Sequence, residues 1–236
     1  MAEKVNKNAV KQAIIEVGKK LWIREYVAAN DGNISVRLPG GTILTTPTGV
    51  SKGALTKRMI IEVDETGRVI SRGGRYQPSS ELKMHLEVYK NRSDVNAVIH
   101  AHPAYSTSFA VAGIPLNQYV LPEAIIHLGT VPLAKYGTPS TTELSDSITP
   151  YLSKCNVMLL ANHGVLTLGS DLEKAYFMME TIEHSARIYS LAMRLGNVNM
   201  LGDEEIKKLI QLRKNLKVSS RAFYEKTCEE NANRKK

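Results

Sequence analysis

The chain has 236 residues, of which 43% are hydrophobic and 23% are charged, and its formal net charge is +8. This length and composition suit one globular α/β domain or two small ones, and they exclude a low-complexity or disordered chain. The two cysteines form no spaced framework, so neither a disulfide scaffold nor a cysteine-based zinc site is indicated.

Targeting signals and nucleic-acid motifs are missing from the sequence. The start, "MAEKVNKNAVKQ", lacks the apolar core of a signal peptide, and no apolar run approaches the roughly 20 residues of a membrane span. Lysine and arginine are spread along the chain and match no nucleic-acid-binding pattern. We therefore predict a cytoplasmic protein with no membrane or nucleic-acid partner, whose positive field would suit a phosphorylated metabolite.

The first half of the chain alternates predicted helices and strands. A helix is predicted from about Val5 to Ala29, and "ISVRL" follows an Asn-Asp-Gly-Asn turn as a strand. "GGTILTTPTGVSKGAL" reads as a short strand between two turns, and "IIEVDETGRVIS" as a hairpin closed around residues 65–67. "PSSELKMHLEVYKNR" predicts a helix with Ser79 or Ser80 as its N-cap.

The second half continues the alternation. "VNAVIHAH" predicts a buried strand, "PAYSTSFAVAG" a helix, "GTVPLAKYGTPST" a strand with a loop, and "SDSITPYLSK" a short helix interrupted near Pro150. "CNVMLLANHGVLTLG" holds two predicted strands, followed by a long helix from about Asp171 to Leu195 and a helix capped by Asp203. The interleaving predicts α/β layers around one sheet, and because no linker is visible we predict a single domain over 1–236.

Two of the six histidines stand one residue apart at the end of an apolar run, "VNAVIHAHPAYS". On a strand, His100 and His102 point to the same face. A zinc site that keeps a position open for substrate typically takes three protein ligands. The best candidate for the third is His163, which ends "NVMLLA" beside Gly164. Ordinary packing or a turn also explains such histidines, so the residues alone leave the site open.

An acid and several hydroxyls lie at the start of the predicted helix after Pro78. Glu81 fits there as a first-turn acid that stabilises the helix, and Ser79 and Ser80 fit as caps. A helix N-terminus bearing hydroxyls is also a ready phosphate site. The loops at 31–33 and 46–49 can add backbone donors to the same anion, although neither matches a nucleotide-binding motif.

Six stretches in order resemble the class II aldolase/adducin family, and most closely its L-fuculose-1-phosphate aldolases. They are "DGNISVR", "LTTPTGV", "PSSELKMH", "AVIHAHPAYSTSFA", "YGTPST" and "LLANHGVLT", and the resemblance covers about residues 10 to 215. It implies a three-layer α/β/α sandwich around a largely antiparallel sheet. It also implies a homotetramer around a four-fold axis, with active sites at subunit interfaces.

The resemblance implies roles for matching residues. His100, His102 and His163 match the ligands of one Zn²⁺ per chain, and Glu81 matches the carboxylate that ligates zinc at rest and then transfers protons. The implied substrate-phosphate cradle consists of Gly32, Asn33, Thr48, Gly49, Ser79 and Ser80.

Other positions match the family less closely. Tyr119 matches a tyrosine that assists the aldehyde half, and Tyr224 one from a C-terminal segment expected to be mobile from about residue 216. Asp31 stands where the best-known fuculose aldolase has a small residue, a departure that would change the polarity of the pocket without touching the metal.

The implied activity is zinc-dependent cleavage of a deoxyketose 1-phosphate, such as L-fuculose 1-phosphate, into dihydroxyacetone phosphate and a short aldehyde such as lactaldehyde. Related metal-dependent dehydratases and decarboxylases of sugar phosphates stay open as alternatives. A 4-epimerase needs an added acid where this chain has Ile125, which disfavours that reading. A non-catalytic adducin-like module would be expected to lose the histidines that this chain keeps.

Overall fold

The computed structural model describes residues 6–71 and 74–224. The strands are Asn33–Arg37 (β1), Ile43–Thr45 (β2), Ile61–Val63 (β3), Ala97–Ala101 (β4), Leu133–Ala134 (β5), Val157–Leu160 (β6) and Gly164–Gly169 (β7). The helices are Lys7–Ile23 (α1), Leu82–Asn91 (α2), Ala104–Val111 (α3), Pro122–His127 (α4), Thr142–Leu152 (α5), Leu172–Leu195 (α6) and Asp203–Asn215 (α7). Two 3₁₀ turns, Lys52–Ala54 and Lys57–Met59, lie between β2 and β3.

The seven strands form one sheet in the order β3-β2-β1-β4-β7-β6-β5. The expectation of a largely antiparallel sheet is only partly right, because β5 and β6 pair in parallel and the sheet is mixed. The physical reason is the connection: α5 lies between β5 and β6, and a helical crossover returns the chain in the same direction. The other five neighbouring pairs are antiparallel.

Helices cover both faces of the sheet, as the α/β layer prediction requires. One apolar cluster joins α1, α3 and α6 to side chains such as Ile34, Ile99 and Val165. A second cluster joins α2 and α5 to the opposite face, through residues such as Val98 and Leu166. Alternate residues of β4 thus enter different clusters, which is the period of two expected for a strand buried on both sides.

Several predicted boundaries differ from the structure. Helix α1 ends at Ile23, well before Ala29, because Glu25 and Ala29 adopt positive φ angles of 60° and 43° that no helix continues. Helix α5 continues through Pro150, where only its last turn is affected. The turn at 65–67 forms, but its return strand is reduced to one bridge between Val63 and Val69.

Helix starts also differ. Glu81, rather than a serine, occupies the N-cap position of α2, and Gly202 precedes α7, whose first residue is Asp203. Helix α4 was not predicted, because its six residues are too few to show a periodic pattern. No helix among the described residues is both long and apolar enough to cross a membrane.

The residues from 216 onward are described as far as Tyr224. Over that stretch the chain lies against the body: Arg221 donates its N–H to Asn156, and Phe223 accepts a hydrogen bond from the N–H of Thr130. Residues 225–236, on which most of the predicted mobile segment falls, lie outside the described residues.

The buried guanidinium of Arg92 joins α2 to the segment after α5. It donates to the carbonyls of Leu152 and Cys155, to Asn156 and to Asp94. We expect Arg92→Met to lower the free energy of unfolding by about 3 kcal/mol, since several acceptors, most of them buried, lose their donor together. Urea unfolding measures this loss. Arg68→Met, which removes an exposed ion pair with Asp64, is the control and should change little; equal effects would refute the role given to Arg92.

Candidate active site

Strand β4 and its two neighbours bring the predicted site residues to the sheet face that carries α2. His100 pairs with Asn33 of β1 on one side and with Leu166 of β7 on the other. The face shared by Val98 and His100 is the one covered by α2, whose N-cap is Glu81. The site therefore lies where the ends of β4 and β1 meet the start of a helix.

The two histidines of "HAH" lie with their rings close together. His100 is fully buried, and its Nδ1 lies 2.9 Å from the carbonyl oxygen of Val165 on β7. His102 follows β4, where its backbone N–H donates to the carbonyl of Tyr26. The Nε2 atoms of the two rings are 2.9 Å apart, so both face the same point.

His163 reaches this point from the turn between β6 and β7. Asn162, with a φ of 55°, turns the chain so that the His163 ring stands 4.6 Å from the His100 ring. Only glycine fits at position 164, because the turn passes close to β4: a Cβ there would lie 2.5 Å from the carbonyl oxygen of Ala101 and 2.6 Å from the His102 ring. Any larger residue would force the turn, and His163 with it, away from β4.

Glu81 completes the cluster, because its carboxylate contacts two of the three histidines. Its Oε1 lies 3.0 Å from Nε2 of His163, and its Oε2 lies 3.4 Å from Nε2 of His100 and accepts a hydrogen bond of 2.8 Å from Nδ2 of Asn33. Burial by itself would raise the pKa of Glu81, but His100, His163 and Asn33 outweigh it and hold that pKa below its usual range. The carboxylate is therefore ionised at neutral pH.

A buried polar network behind Glu81 holds α2 on the sheet. Ser35 Oγ lies 2.7 Å from Nδ1 of His85 and 2.8 Å from the hydroxyl of Tyr89. His85 stands four residues after Glu81, so the two side chains lie on one face of the helix start. Burial lowers the pKa of His85 to about 4, which keeps this ring neutral. The network fixes how α2, and hence Glu81, approaches β1.

Two imidazoles of the cluster, those of His100 and His102, are neutral near pH 7. Burial lowers the pKa of His100 to about 3, against the opposing effect of Glu81. Burial and His163 also lower the pKa of His102, again opposed by nearby carboxylates. Neutral imidazole is the form that donates a lone pair to a metal ion.

The donor set fits a divalent metal ion. His100, His102 and His163 each offer a nitrogen, and these atoms lie within 4.8 Å of one another. Ligands about 2.0–2.1 Å from a tetrahedral ion stand about 3.3 Å apart, close to the 2.9–3.4 Å contacts among the imidazoles and Glu81. The chain's own residues can thus hold a metal through three nitrogens and one carboxylate oxygen.

The residues predicted to cradle a phosphate lie on three loops joined by backbone hydrogen bonds. The N–H of Thr46 donates to the carbonyl of Ile34, and the Thr46 hydroxyl accepts from the N–H of Ile34. The carbonyl of Thr46 accepts from the N–H of Ser79, and the N–H of Thr48 donates to the carbonyl of Gln77. The loops at 31–33, 46–49 and 77–80 are thereby held side by side. Thr48, Gly49 and Ser80 are exposed, as a ligand cradle needs, while Ser79 Oγ accepts from the N–H of Glu81 at 3.3 Å.

Two members of the predicted cradle have other contacts. The side chain of Asn33 is buried and donates to Glu81, so in this structure its amide serves the carboxylate. Its Oδ1 is buried without a hydrogen-bond partner among the described residues. Gly32, with a φ of 70°, lets the chain pass the carbonyl oxygen of His100, which a Cβ would approach to 2.8 Å.

The predicted tyrosines lie in a separate cluster. Tyr119 is buried with Ile125 and Ile206, and its hydroxyl is 2.8 Å from Thr130 Oγ1. The hydroxyl of Tyr224 donates to the carbonyl of Ile125, and the two tyrosine rings are 6.3 Å apart. Within one chain, both tyrosines therefore pack with α4 and α7 and not with the histidines.

Two charged residues make contacts at the site that the sequence does not predict: Lys52 ties two loops together, and Asp31, expected only to change the polarity of the pocket, contacts a predicted metal ligand. Asp31 Oδ2 lies 3.3 Å from Nδ1 of His102. The Nζ of Lys52, a buried residue, donates to the carbonyls of Asn30 and Val50 and so ties together two of the phosphate-side loops. Neither contact has a signal in local sequence, because "NDGN" and "VSKG" also occur as ordinary polar turns.

Comparison with known proteins agrees with this arrangement. The family model described as "Class II Aldolase and Adducin N-terminal domain" matches residues 12–190. An L-fuculose phosphate aldolase from Methanococcus vannielii is 38% identical over 181 residues, covering 76% of this chain and 94% of that protein. A 3-oxo-tetronate 4-phosphate decarboxylase from Pectobacterium atrosepticum is 30% identical over 200 residues, covering 83% and 86%.

A solved structure has the same fold. The structure of an L-fuculose 1-phosphate aldolase superimposes with a TM-score of 0.80 at 34% identity, covering 87% of this chain and 96% of the other. The chain therefore belongs to the class II aldolase and adducin family. Within that family it is an enzyme of the class II, metal-dependent aldehyde-lyase type.

The buried amine of Lys52 gives a pH-dependent stability. Burial lowers its pKa to about 8, against the opposing effect of Asp31, whereas the unfolded chain has the ordinary value of 10.5. Between these two pKa values the unfolded state binds more protons than the folded state. The contribution of Lys52 to the free energy of unfolding therefore rises with pH from about 8 to 10.5, by at most about 1.4 kcal/mol per pH unit. This contribution is lost as the pH falls back to about 8.

Urea unfolding at pH 7.5 and pH 9.5 tests this expectation. From pH 7.5 to pH 9.5 the change in the free energy of unfolding should be more positive in the parent chain than in Lys52→Met, which lacks the buried amine. An exposed lysine, Lys90→Met, is the matched control and should leave the pH dependence unaltered. Identical pH profiles for the parent chain and Lys52→Met would contradict the buried environment of the amine.

Proposed function

We propose that this enzyme is a zinc-dependent aldolase that cleaves a deoxyketose 1-phosphate, such as L-fuculose 1-phosphate, into dihydroxyacetone phosphate and a short aldehyde such as lactaldehyde. One observation carries the proposal: three imidazoles and an ionised carboxylate converge next to three loops that can bind a phosphate. The relatives named for fuculose phosphate cleavage support it.

The metal ligands in this proposal are His100, His102 and His163, with Glu81 as a fourth, displaceable ligand. When bound, a divalent ion supplies Lewis-acid stabilisation of the negative charge that cleavage leaves on the dihydroxyacetone-phosphate half. Three nitrogen ligands with one further position suit Zn²⁺ in a catalytic site. The burial that keeps His100 and His102 neutral favours metal binding near pH 7.

Cleavage of the bond between C3 and C4 removes a proton from the C4 hydroxyl and adds one at C3. We assign the proton transfer at C3 to Glu81: its ionised carboxylate takes up one proton as general base, which balances the proton that the C4 hydroxyl loses, and then delivers it to C3 as general acid. Its position is fixed by Asn33 and by the seating of α2 on β1, so the carboxylate stays at the edge of the cluster. This arrangement needs no lysine Schiff base.

The phosphate is assigned to the loops that carry Gly32, Asn33, Thr48, Gly49, Ser79 and Ser80. The first turn of α2 and the glycine-containing loops offer N–H and hydroxyl donors, which suit a dianion. Binding the phosphate there would orient the reacting carbons toward the histidines, because remote binding energy is used to position the bond that breaks.

The aldehyde half is assigned to residues of a neighbouring copy. We propose that the protein forms a homotetramer in the cytoplasm, with Tyr119 and Tyr224 completing the site of an adjacent subunit. In one chain these tyrosines lie in the cluster of α4 and α7, away from the chain's own histidine cluster, and this placement motivates the assignment to an interface.

Decarboxylation of a sugar-acid phosphate is the second candidate. A relative named for 3-oxo-tetronate 4-phosphate decarboxylation covers 83% of this chain, and its reaction also leaves negative charge beside a carbonyl. The same metal and phosphate sites would serve it, as they would a dehydratase. An epimerase is disfavoured, since Ile125 is buried and cannot move a proton. A non-catalytic module would not need the convergent donors.

Removal of one ligand tests the metal site. We expect His102→Ala to lose most of the zinc found in the parent protein, measured by metal analysis after metal-replete expression, and to lose cleavage activity with it. His184→Ala, which removes an exposed histidine of α6, is the control and should keep both. Full zinc content in purified His102→Ala would contradict the ligand assignment.

A charge-removing change tests the proton-transfer group. We expect Glu81→Gln to lower kcat by about 10²–10⁴-fold, the range typical of a general acid or base. KM for the phosphorylated ketose should change far less, because the phosphate loops are intact. Glu87→Gln, further along α2, serves as the matched control. Turnover at the parent rate in Glu81→Gln would show that another group transfers the proton.

A substrate screen separates the two candidate reactions. The zinc-loaded enzyme is given ketose 1-phosphates of varied length and stereochemistry, and dihydroxyacetone phosphate is detected with a coupled dehydrogenase. In parallel, 3-oxo-acid phosphates are given and carbon dioxide is measured. Release of dihydroxyacetone phosphate from a deoxyketose 1-phosphate is the expected result. Carbon dioxide release alone would replace the aldolase proposal with the decarboxylase.

A further inference from the structure

We propose that Asp31 is a positioning residue for the metal site. Its carboxylate accepts a hydrogen bond from the Nδ1–H of His102, which leaves the lone pair on Nε2 of that ring directed at the metal ion. The observation is the 3.3 Å contact between Asp31 Oδ2 and His102 Nδ1. The inference rests on the proposed function, because it assumes that the three histidines bind a metal.

The Nδ1 atoms of the three histidines, which face away from the shared point, have different surroundings. Nδ1 of His100 faces the carbonyl of Val165, a fixed backbone group within the sheet. Nδ1 of His163 is buried without a hydrogen-bond partner among the described residues. Only His102 has a charged side chain at this position. Its side chain is 25% exposed, against 0% and 12% for His100 and His163, so it is the ring least held by packing.

The tautomer of His100 determines which tautomer of His102 leaves both Nε2 lone pairs free for a metal ion. A carbonyl oxygen only accepts, so the neutral His100 ring carries its hydrogen on Nδ1, facing Val165, and presents a lone pair at Nε2. If His102 carried its hydrogen on Nε2, it would donate to His100 across 2.9 Å, and neither Nε2 would be free. A carboxylate beside Nδ1 favours the other tautomer, in which both Nε2 lone pairs face the metal position.

The loop that carries Asp31 is held from below by Lys52. The ammonium group donates to the carbonyl of Asn30, the residue before Asp31, at 2.9 Å and to Val50 at 2.7 Å. The N–H of Asp31 donates to Ala28, and Tyr26 accepts from the N–H of His102, so loop and ligand are tied to one segment. The positive charge of Lys52 also offsets the carboxylate of Asp31 beside a predicted anion site.

Zinc affinity in a double-mutant cycle tests the inference. Metal-free parent, Asp31→Ala, Asp31→Asn, His102→Ala and the double variant are titrated with Zn²⁺ against a chromophoric chelator. We expect Asp31→Ala to weaken binding about 10–100-fold, the usual effect of losing an outer partner of a metal-bound histidine. Asp31→Asn keeps an acceptor and should lose less. Asp146→Ala, an exposed aspartate of α5, is the charge control and should bind like the parent chain.

The cycle identifies the route of the effect. If Asp31 acts through His102, adding Asp31→Ala to His102→Ala should cause no further loss of affinity. Equal losses in both backgrounds would show plain attraction between a carboxylate and a cation, and would overturn the positioning role. Parent affinity in Asp31→Ala would overturn it too. If His102→Ala itself bound zinc like the parent chain, the proposed metal site would fail, and that result is distinct from a failure of Asp31 alone.

Discussion

The site depends on the central place of β4 between β1 and β7. Antiparallel pairing on both sides sets Asn33 opposite His100 and brings the β6–β7 turn against the end of β4. The approach is so close that Gly164 leaves no room for a Cβ beside Ala101. Three stretches that are far apart in sequence therefore meet at one point, and the distance between the imidazoles of His100 and His163 is set by the spacing of neighbouring strands.

This constraint explains which parts of the site could be predicted from sequence. The pairing of His100 with His102 follows from strand alternation alone, and the interleaved pattern indicated helices around one sheet. The contact of His163 with Glu81 could not be derived in this way, because it depends on how α2 lies on the sheet through Ser35, His85 and Tyr89. The family resemblance supplied what local pattern could not, except where this chain departs from it.

The errors in the predicted fold have a common physical origin. The spacing of hydrophobic residues indicates whether a segment is buried, but it does not indicate where a positive φ or a crossover connection changes the direction of the chain. Helix α1 was extended past Glu25 for that reason, and the parallel pairing of β5 with β6 depends on α5. Local pattern likewise does not predict that the side-chain amide of Asn33 donates to Glu81.

Burial keeps the imidazoles of His100 and His102 neutral, whereas the contacts of Glu81 keep its carboxylate ionised despite burial, and both states favour metal binding. Burial lowers the pKa of His100, while the pKa of Glu81 stays low because its contacts with His100, His163 and Asn33 outweigh the effect of burial. A ligand set with only one carboxylate stabilises a divalent ion without cancelling its charge, which preserves its power to polarise a carbonyl. An added carboxylate as a direct ligand would weaken that power. In our proposal Asp31 instead contacts Nδ1 of a ligand and sets its tautomer without coordinating the metal itself, and Lys52 offsets its charge.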